Sequence, residues 1–349
     1  MQPFPGSFRL STTTRAQNIG ALICPRKRIR MVVLFSIQFF MLMSSCARIP
    51  PTYGKSRDIV VISSTIDSQL IVNSLQLYNY VPQKESLFTF IFAEDTAINT
   101  VKKFHTLFLY GSLRDGFIDV LLDSEAKKAT EKDTFTLFKL EDLWSKHQLA
   151  IILAVSEPEY ITLGLSRFKD AITKILEENY YNRVKANYYI KQIDKTMKTS
   201  LREYGVTFDI AKGWLIDSTY KDDNFMFVHT HFPDRAIFFY KELYTAELSS
   251  DYALSKRDSL TRMYYKGDYI LRDLTDTEEI EFKNLRGIRL RGVWQNDSLV
   301  AGGPFLSYFL KRDDTLYVLD GMLFNPGERK TDYFTMVEVI LNSFEIVEK

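Results

Sequence analysis

Cysteine and histidine are scarce in this chain: 349 residues contain two cysteines, Cys24 and Cys46, and four histidines. If the chain is cut before Cys46, as argued below, no free thiol remains in the folded part. A disulfide framework, a cysteine nucleophile and a thiolate metal site are then all excluded. Also missing are a Gly-x-Ser-x-Gly elbow, a Walker loop, a Gly-x-Gly-x-x-Gly turn and a His-Glu-x-x-His helix. The familiar serine and zinc hydrolases, P-loop NTPases and dinucleotide-binding enzymes are therefore not expected, and no cofactor is expected either. No apolar run reaches the roughly twenty residues that a membrane-spanning helix needs.

Charge is present but balanced. The formal net charge of +1 conceals an asymmetry, because residues 1–45 carry six basic residues and no acidic one. Without those six, 39 basic residues face 44 acidic ones, a balance of −5. A mildly acidic folded part is a poor nucleic-acid ligand, so no nucleic-acid partner is expected. A hydrophobic content of 46% is ordinary for a globular chain, and the length allows about two domains.

The basic segment Arg26–Arg30 precedes Met31–Met43, thirteen mostly apolar residues, and then Ser44, Ser45 and Cys46. A positive flank, a short apolar core and small residues form a secretory leader. Their junction with a cysteine resembles the lipobox of bacterial lipoprotein precursors. That resemblance implies a signal peptide over residues 1–45, acylation of Cys46 and a membrane as partner through the N-terminal lipid. Ala47 in place of an aspartate, with no acidic run after it, points to the outer membrane and its periplasmic side. Pro50, Pro51 and Gly54 make residues 46–56 an extended tether.

Beyond the tether, Asp58–Ile62, Phe88–Phe92, Thr106–Tyr110 and Gln148–Val155 read as buried strands. Asp123–Lys132 reads as helical. A helical zone over 161–204 carries Leu165, Phe168, Ile172, Leu176, Tyr180, Val184 and Tyr188 at near-regular spacing, with a break expected near Asn179–Asn182. The second half gives strands at 224–230 and 235–240, a helix at 251–265, and a meander over 286–324 with turns at 295–298 and 312–314. A closing helix follows at 332–344. The expected class is α+β: two α/β-sandwich-like halves of antiparallel sheet plus helices, 57–204 and 205–349, joined by the long helical zone. Each half ends in a strong strand, a proline loop and a helix, which suggests an old duplication without residue-level repetition.

His229 and His231 alternate on one strand and so share a face, as the start of a zinc site does, with Asp234 as an oxygen donor. Two polar rings on a wet sheet face are the plainer account. Arg289 and Arg291 likewise project together and are candidates for a carboxylate, phosphate or anionic glycan, although wet antiparallel faces carry such pairs routinely. Gly302 and Gly303 suggest a bulge. No catalytic residue stands out.

Across these residues the chain resembles an uncharacterised family of Bacteroidota lipoproteins classed as a domain of unknown function. The resemblance lies in Gly54–Lys55, Val81–Phe88, Asp142–Gln148, Gly292–Trp294, Gly302–Phe305 and the ending from Asn325 to Phe344. It implies an address and a fold but supplies no reaction. The opening at Gly205–Trp214 separately resembles PsbP-like sandwiches. The function expected is a lipid-anchored envelope protein with a binding or assembly role and an envelope protein as a candidate partner. The alternatives are a small-ligand or glycan binder using Arg289 and Arg291, or an envelope hydrolase using carboxylates or a His229/His231 metal.

Overall fold

The computed structural model describes residues 49–347. The leader segment, Cys46 and the first residues of the tether lie outside the described residues. The class is α+β, with helices and extensive sheet in two compact units. Among the described residues no helix is long and apolar enough to cross a membrane.

The N-terminal unit comprises the described residues up to Gln76 together with Phe88–Leu176. Its sheet uses β1 (Asp58–Ser63), β2 (Thr89–Glu94), β3 (Thr106–Ser112), β4 (Phe135–Glu141) and β5 (Leu149–Val155), in the order β2-β1-β3-β5-β4. Helix α1 (Ser68–Leu75) follows β1, and α2 (Ser124–Asp133) lies between β3 and β4. Strands β2, β1, β3 and β5 run parallel, and only β4 is antiparallel. This corrects the antiparallel expectation for the first half. The physical reason is visible in the burial: every residue of β1, β3 and β5 is buried. Unbroken apolar runs of this kind belong to sheets covered on both faces, and those are characteristically parallel.

Helix α3 (Ile161–Ile190) is continuous through Asn179–Asn182, so the expected break there does not occur. The interruption falls at residues 191–194. Asp194 begins a new helix, α4 (Lys195–Arg202), by accepting from the amides of Thr196 (2.9 Å) and Met197 (3.0 Å).

The C-terminal unit comprises Leu77–Leu87 and the described residues from Glu177 onward. Its sheet is antiparallel throughout. The strands are β6 (Leu215–Asp217), β7 (Phe225–Thr230), β8 (Asp234–Leu243), β9 (Tyr269–Ile270), β10 (Asp276–Phe282), β11 (Leu285–Asn296), β12 (Ala301–Arg312) and β13 (Thr315–Phe324). They are ordered β9-β11-β12-β13-β8-β7-β6, with β10 also on β11. Alternation sorts the side chains onto two cores. Met226, Val228, Ile237 and Leu306 meet Phe334, Val337 and Ile340 of helix α6 (Thr331–Leu341) on one face. Phe225, Phe238, Phe305 and Val318 meet Ala253 and Leu260 of helix α5 (Ser250–Tyr264) on the other. Because the two halves rest on sheets of different strand direction, their similar endings do not reflect a repeated unit.

Gly302 and Gly303 do not form a bulge. Register runs unbroken through Gln295↔Gly302 and Trp294↔Gly303. Glycine is required at 303 for close approach, since a Cβ there would lie 2.0 Å from the Leu323 carbonyl oxygen.

Candidate functional site

Helix α5 has 15 residues and β11 and β12 have 12 each. At 1.5 Å per residue the helix is about 22 Å long, whereas strands of that length reach about 40 Å. The helix therefore cannot cover its whole face of the sheet. Where it stops, at Tyr264 and Tyr265, a pocket of about 580 Å³ opens onto the uncovered part. That size lies in the range of small-molecule sites.

Aromatic rings build the walls. Phe225 and Tyr264 stack with centroids 3.9 Å apart, and Phe227 meets the edge of Tyr265 at 4.9 Å. Trp294 and Phe324 close another side at 6.3 Å. These residues come from β7, α5 and the residue after it, β11 and β13, so several elements converge on one space.

Beneath α5 lies a polar network that sequence reasoning missed. Arg257 and Asp320 are fully buried and joined through Nε and Oδ2 at 2.7 Å. Ser307 donates to the same carboxylate oxygen, and the Arg257 guanidinium sits 3.6 Å above the Phe305 ring. The signal for it was present: a charged residue on the inward stripe of α5, and single polar residues inside the apolar runs 305–310 and 316–324. Asp268, also buried, accepts from Asn296 Nδ2 at 2.6 Å. Burial raises its carboxyl above the usual range, against the pull of Asn296 and Arg257. Burial likewise pushes the Tyr265 hydroxyl well above its ordinary value, with Asp320 adding to the effect and Arg257 opposing it.

His229 and His231 share one face and both line this pocket, with centroids 5.3 Å apart. His229 stacks on Phe227, and His231 Nδ1 lies 2.7 Å from Asp234. Among the described residues no three His, Cys, Asp or Glu side chains converge in a way that would hold a metal. Arg289 and Arg291 lie elsewhere. Arg289 pairs with Glu278 across the β10–β11 ladder. Arg291 sits 3.9 Å from Glu338 and 5.1 Å from the Phe334 ring centre, so each guanidinium already faces a carboxylate. Cys46 lies outside the described residues.

A second depression of about 530 Å³, lined by Glu279, Glu281, Arg286 and Lys311 among others, holds charges of both signs and no unpartnered buried polar atom among the described residues. In the N-terminal unit, the strand order puts a crevice at the carboxyl ends of β1 and β3, the usual place for a ligand in parallel sheets. Its own residues bond to one another there. The Tyr110 hydroxyl donates to the Thr65 carbonyl and accepts from the Asp67 amide, both at 3.0 Å, and Asp115 takes the Ser112 amide at 2.7 Å.

Residues 193–343 match the family described as a domain of unknown function, DUF4837. The matched stretch contains every residue lining the aromatic pocket. No curated protein matches the chain. Similar solved structures include cyanobacterial PsbP (CyanoP) from Synechocystis, at 11% identity and a TM-score of 0.32, covering 41% of this chain and 88% of that one. The Ran-binding protein Mog1p of Saccharomyces cerevisiae is similar at 14% identity and a TM-score of 0.30, covering 41% and 91%. A Bacteroides thetaiotaomicron protein is similar at 5% identity and a TM-score of 0.27, covering 42% and 46%. At such scores nothing carries over from them to this chain.

Proposed function

We propose that the chain is a lipid-anchored cell-envelope protein that works by binding, and that the aromatic pocket of its C-terminal unit receives a small, largely apolar molecule. Anchoring rests on the leader pattern that ends at Cys46, and the periplasmic side of the outer membrane on Ala47 and the lack of an acidic run after it. Binding rests on one observation above all: α5 leaves an aromatic-walled space open on a sheet face that is otherwise packed. Tyrosine and tryptophan walls give large contact area with little side-chain entropy to lose, which suits recognition. No nucleophile with an adjacent base emerges in the pocket, so binding is preferred to hydrolysis.

The test uses the full chain in detergent micelles and naphthalene as probe, read by saturation-transfer NMR. Ala301 lines the pocket and is partly buried. Wild type should transfer saturation to naphthalene, and Ala301→Trp, which fills the space, should abolish the excess over empty micelles. Equal signals from the two proteins would remove the pocket from the proposal.

A further inference from the structure

The amino ends of β1, β3 and β5 lie side by side, because these strands run parallel. Across that edge of the N-terminal unit passes the chain that leads in from Cys46, and it is not a free tether. The Lys146 amide donates to the Pro50 carbonyl at 2.8 Å, and the Tyr53 amide to the Lys103 carbonyl at 3.2 Å. The His105 amide returns to the Tyr53 carbonyl at 3.1 Å, and the Tyr53 hydroxyl reaches the Thr100 carbonyl at 2.8 Å. Gly54, with a φ of +110°, passes so close to Phe104 that a Cβ would lie 2.9 Å from the ring. Residues 50–55 are thus fastened to the loops that open β3 and β5.

That fastening limits reach. Pro50 follows Cys46 by four residues. At no more than about 3.6 Å per residue, the two lie within roughly 14 Å of each other. An acyl group on Cys46 would therefore hold this edge within about two Debye lengths of a lipid surface.

Charge divides the two ends of the same sheet. The loops at the amino ends (50–57, 102–105 and 142–148) contain five basic residues, Lys55, Arg57, Lys102, Lys103 and Lys146, and one acidic, Asp142. The loops at the carboxyl ends (64–67, 95–97, 113–115 and 156–160) reverse this. They contain five acidic residues, Asp67, Asp95, Asp115, Glu157 and Glu159, and one basic, Arg114. Lys55, Lys103 and Lys146 are exposed and form no ion pair among the described residues. Asp142 is exposed too, with one oxygen engaged by the His147 amide. In the strand ends themselves Asp58 is buried, and Glu141 faces Lys139 at 3.8 Å. A positive surplus remains on this edge, in a chain where acidic residues outnumber basic ones beyond residue 45.

Building on the reading that Cys46 is acylated, we infer that the amino edge of the N-terminal sheet is the face laid on the membrane. Lys55, Lys103 and Lys146 lie there among anionic phospholipid headgroups. Each lysine is attracted to an anionic leaflet, and the attraction fades within a Debye length. The short reach from Cys46 keeps the lysines where that field acts, and the same field repels the acidic carboxyl edge. Tyr53, exposed in the fastened segment, is of the type enriched where membrane meets water.

The test places the full lipidated chain on bilayer nanodiscs of phosphatidylcholine, alone or with phosphatidylglycerol. Lysines are acetylated with sulfosuccinimidyl acetate and their rates read by mass spectrometry. Lys132, exposed just before the β4 end that pairs with Val155, is the internal control for the carboxyl edge. Lys55, Lys103 and Lys146 should react about fivefold more slowly on phosphatidylglycerol discs, the scale set by one lysine at an anionic leaflet. Lys132 should react alike on both. Sodium chloride at about 0.5 M should erase the difference while the protein stays on the disc. With Lys55→Glu, Lys103→Glu and Lys146→Glu combined, Lys102 should lose the protection it has in wild type. Equal rates on the two discs, or a matching slowdown of Lys132, would overturn the docked face and leave the anchor intact. Lys102 protection that survives in the triple variant would do the same. A chain that carries no acyl group on Cys46 and fails to co-purify with discs would remove anchor and docking together.

Discussion

Asp320 and Arg257 are charges in a place where alternation and helical periodicity call for aliphatic side chains, and each is tolerable only because of the other. With both fully buried, the guanidinium is held by one carboxylate, one hydroxyl and one ring face. Removing the carboxylate strands a buried cation, a change that costs roughly 3–5 kcal/mol in comparable pairs. Asp320→Asn should lower the free energy of unfolding by that order in urea titrations followed by circular dichroism. The double substitution Arg257→Met with Asp320→Leu should recover most of it, since a well-packed apolar pair avoids the desolvation altogether. A loss below about 1 kcal/mol in Asp320→Asn would mean that the pair is hydrated in solution. Other single residues mislead in the opposite direction. Leu299 and Val300 look like the start of a strand, both being apolar and Val300 β-branched, yet they form the turn before β12. Val300 has a φ of +50°, which bulky residues seldom adopt, and sequence pattern cannot anticipate it.

Among the elements, α6 shows how local signals identify a helix and still miss what holds it. Its periodicity and the preceding Asn325–Gly327 turn are readable in the sequence. Its own N-cap position, Lys330, supplies no side-chain hydrogen bond. The cap comes instead from Glu85, in the short hairpin of Tyr78–Tyr80 and Lys84–Ser86, whose carboxylate accepts from the Lys330 and Thr331 amides (both 2.9 Å) and from the Thr331 hydroxyl (2.6 Å). Burial works against the charged form of Glu85, but these donors and Arg329 outweigh it and hold the carboxyl below its usual range. A depressed folded value means that the stabilisation is present above the ordinary glutamate pKa of about 4.3 and fades as pH falls through the folded value. Glu85→Gln should therefore cost about 1 kcal/mol at neutral pH, the scale of a lost N-cap. The gap from wild type should narrow below about pH 4 in denaturation midpoints taken across pH. A gap independent of pH would show that the charge is not what matters. The strands of the meander were legible for the same reason as α6, through alternation and turn residues. The acidic edge strand β10 and the hairpin of residues 78–86 were not, because polar exposed strands have no apolar signature. Strand direction in the N-terminal sheet was legible but missed: an unbroken apolar run such as Leu149–Val155 is the mark of a strand covered on both faces, which is characteristically parallel.

For the molecule as a whole, the α+β class and most element positions followed from pattern, and the aromatic pocket did not. His229 and His231 were singled out for metal chemistry, and what marks their position in the fold is the space that a short helix leaves beside long strands. That is a difference of lengths between elements distant in sequence, and no local window contains it. The address of the molecule is a separate matter and can be tested directly. With lipoprotein-type processing, the full chain should incorporate labelled palmitate and sediment with membranes, and Cys46→Ala should lose the label and accumulate at precursor size. A Cys46→Ala protein that appears at mature size with normal membrane fractionation would refute the anchor.

Leu77–Leu87 fold with the C-terminal unit, while the chain immediately on either side belongs to the N-terminal one. Val81 of that excursion is fully buried in the core that includes Phe334 and Val337, and Glu85 reaches Thr331 across 246 positions. During synthesis at roughly 5–20 residues per second, such a segment waits on the order of 12–50 s for its partners to emerge from the ribosome. The C-terminal unit is thus completed by a piece of chain made long before it. A recombinant fragment cut at residues 193–343 would leave that piece behind, and with it both a core side chain and the cap of the last helix.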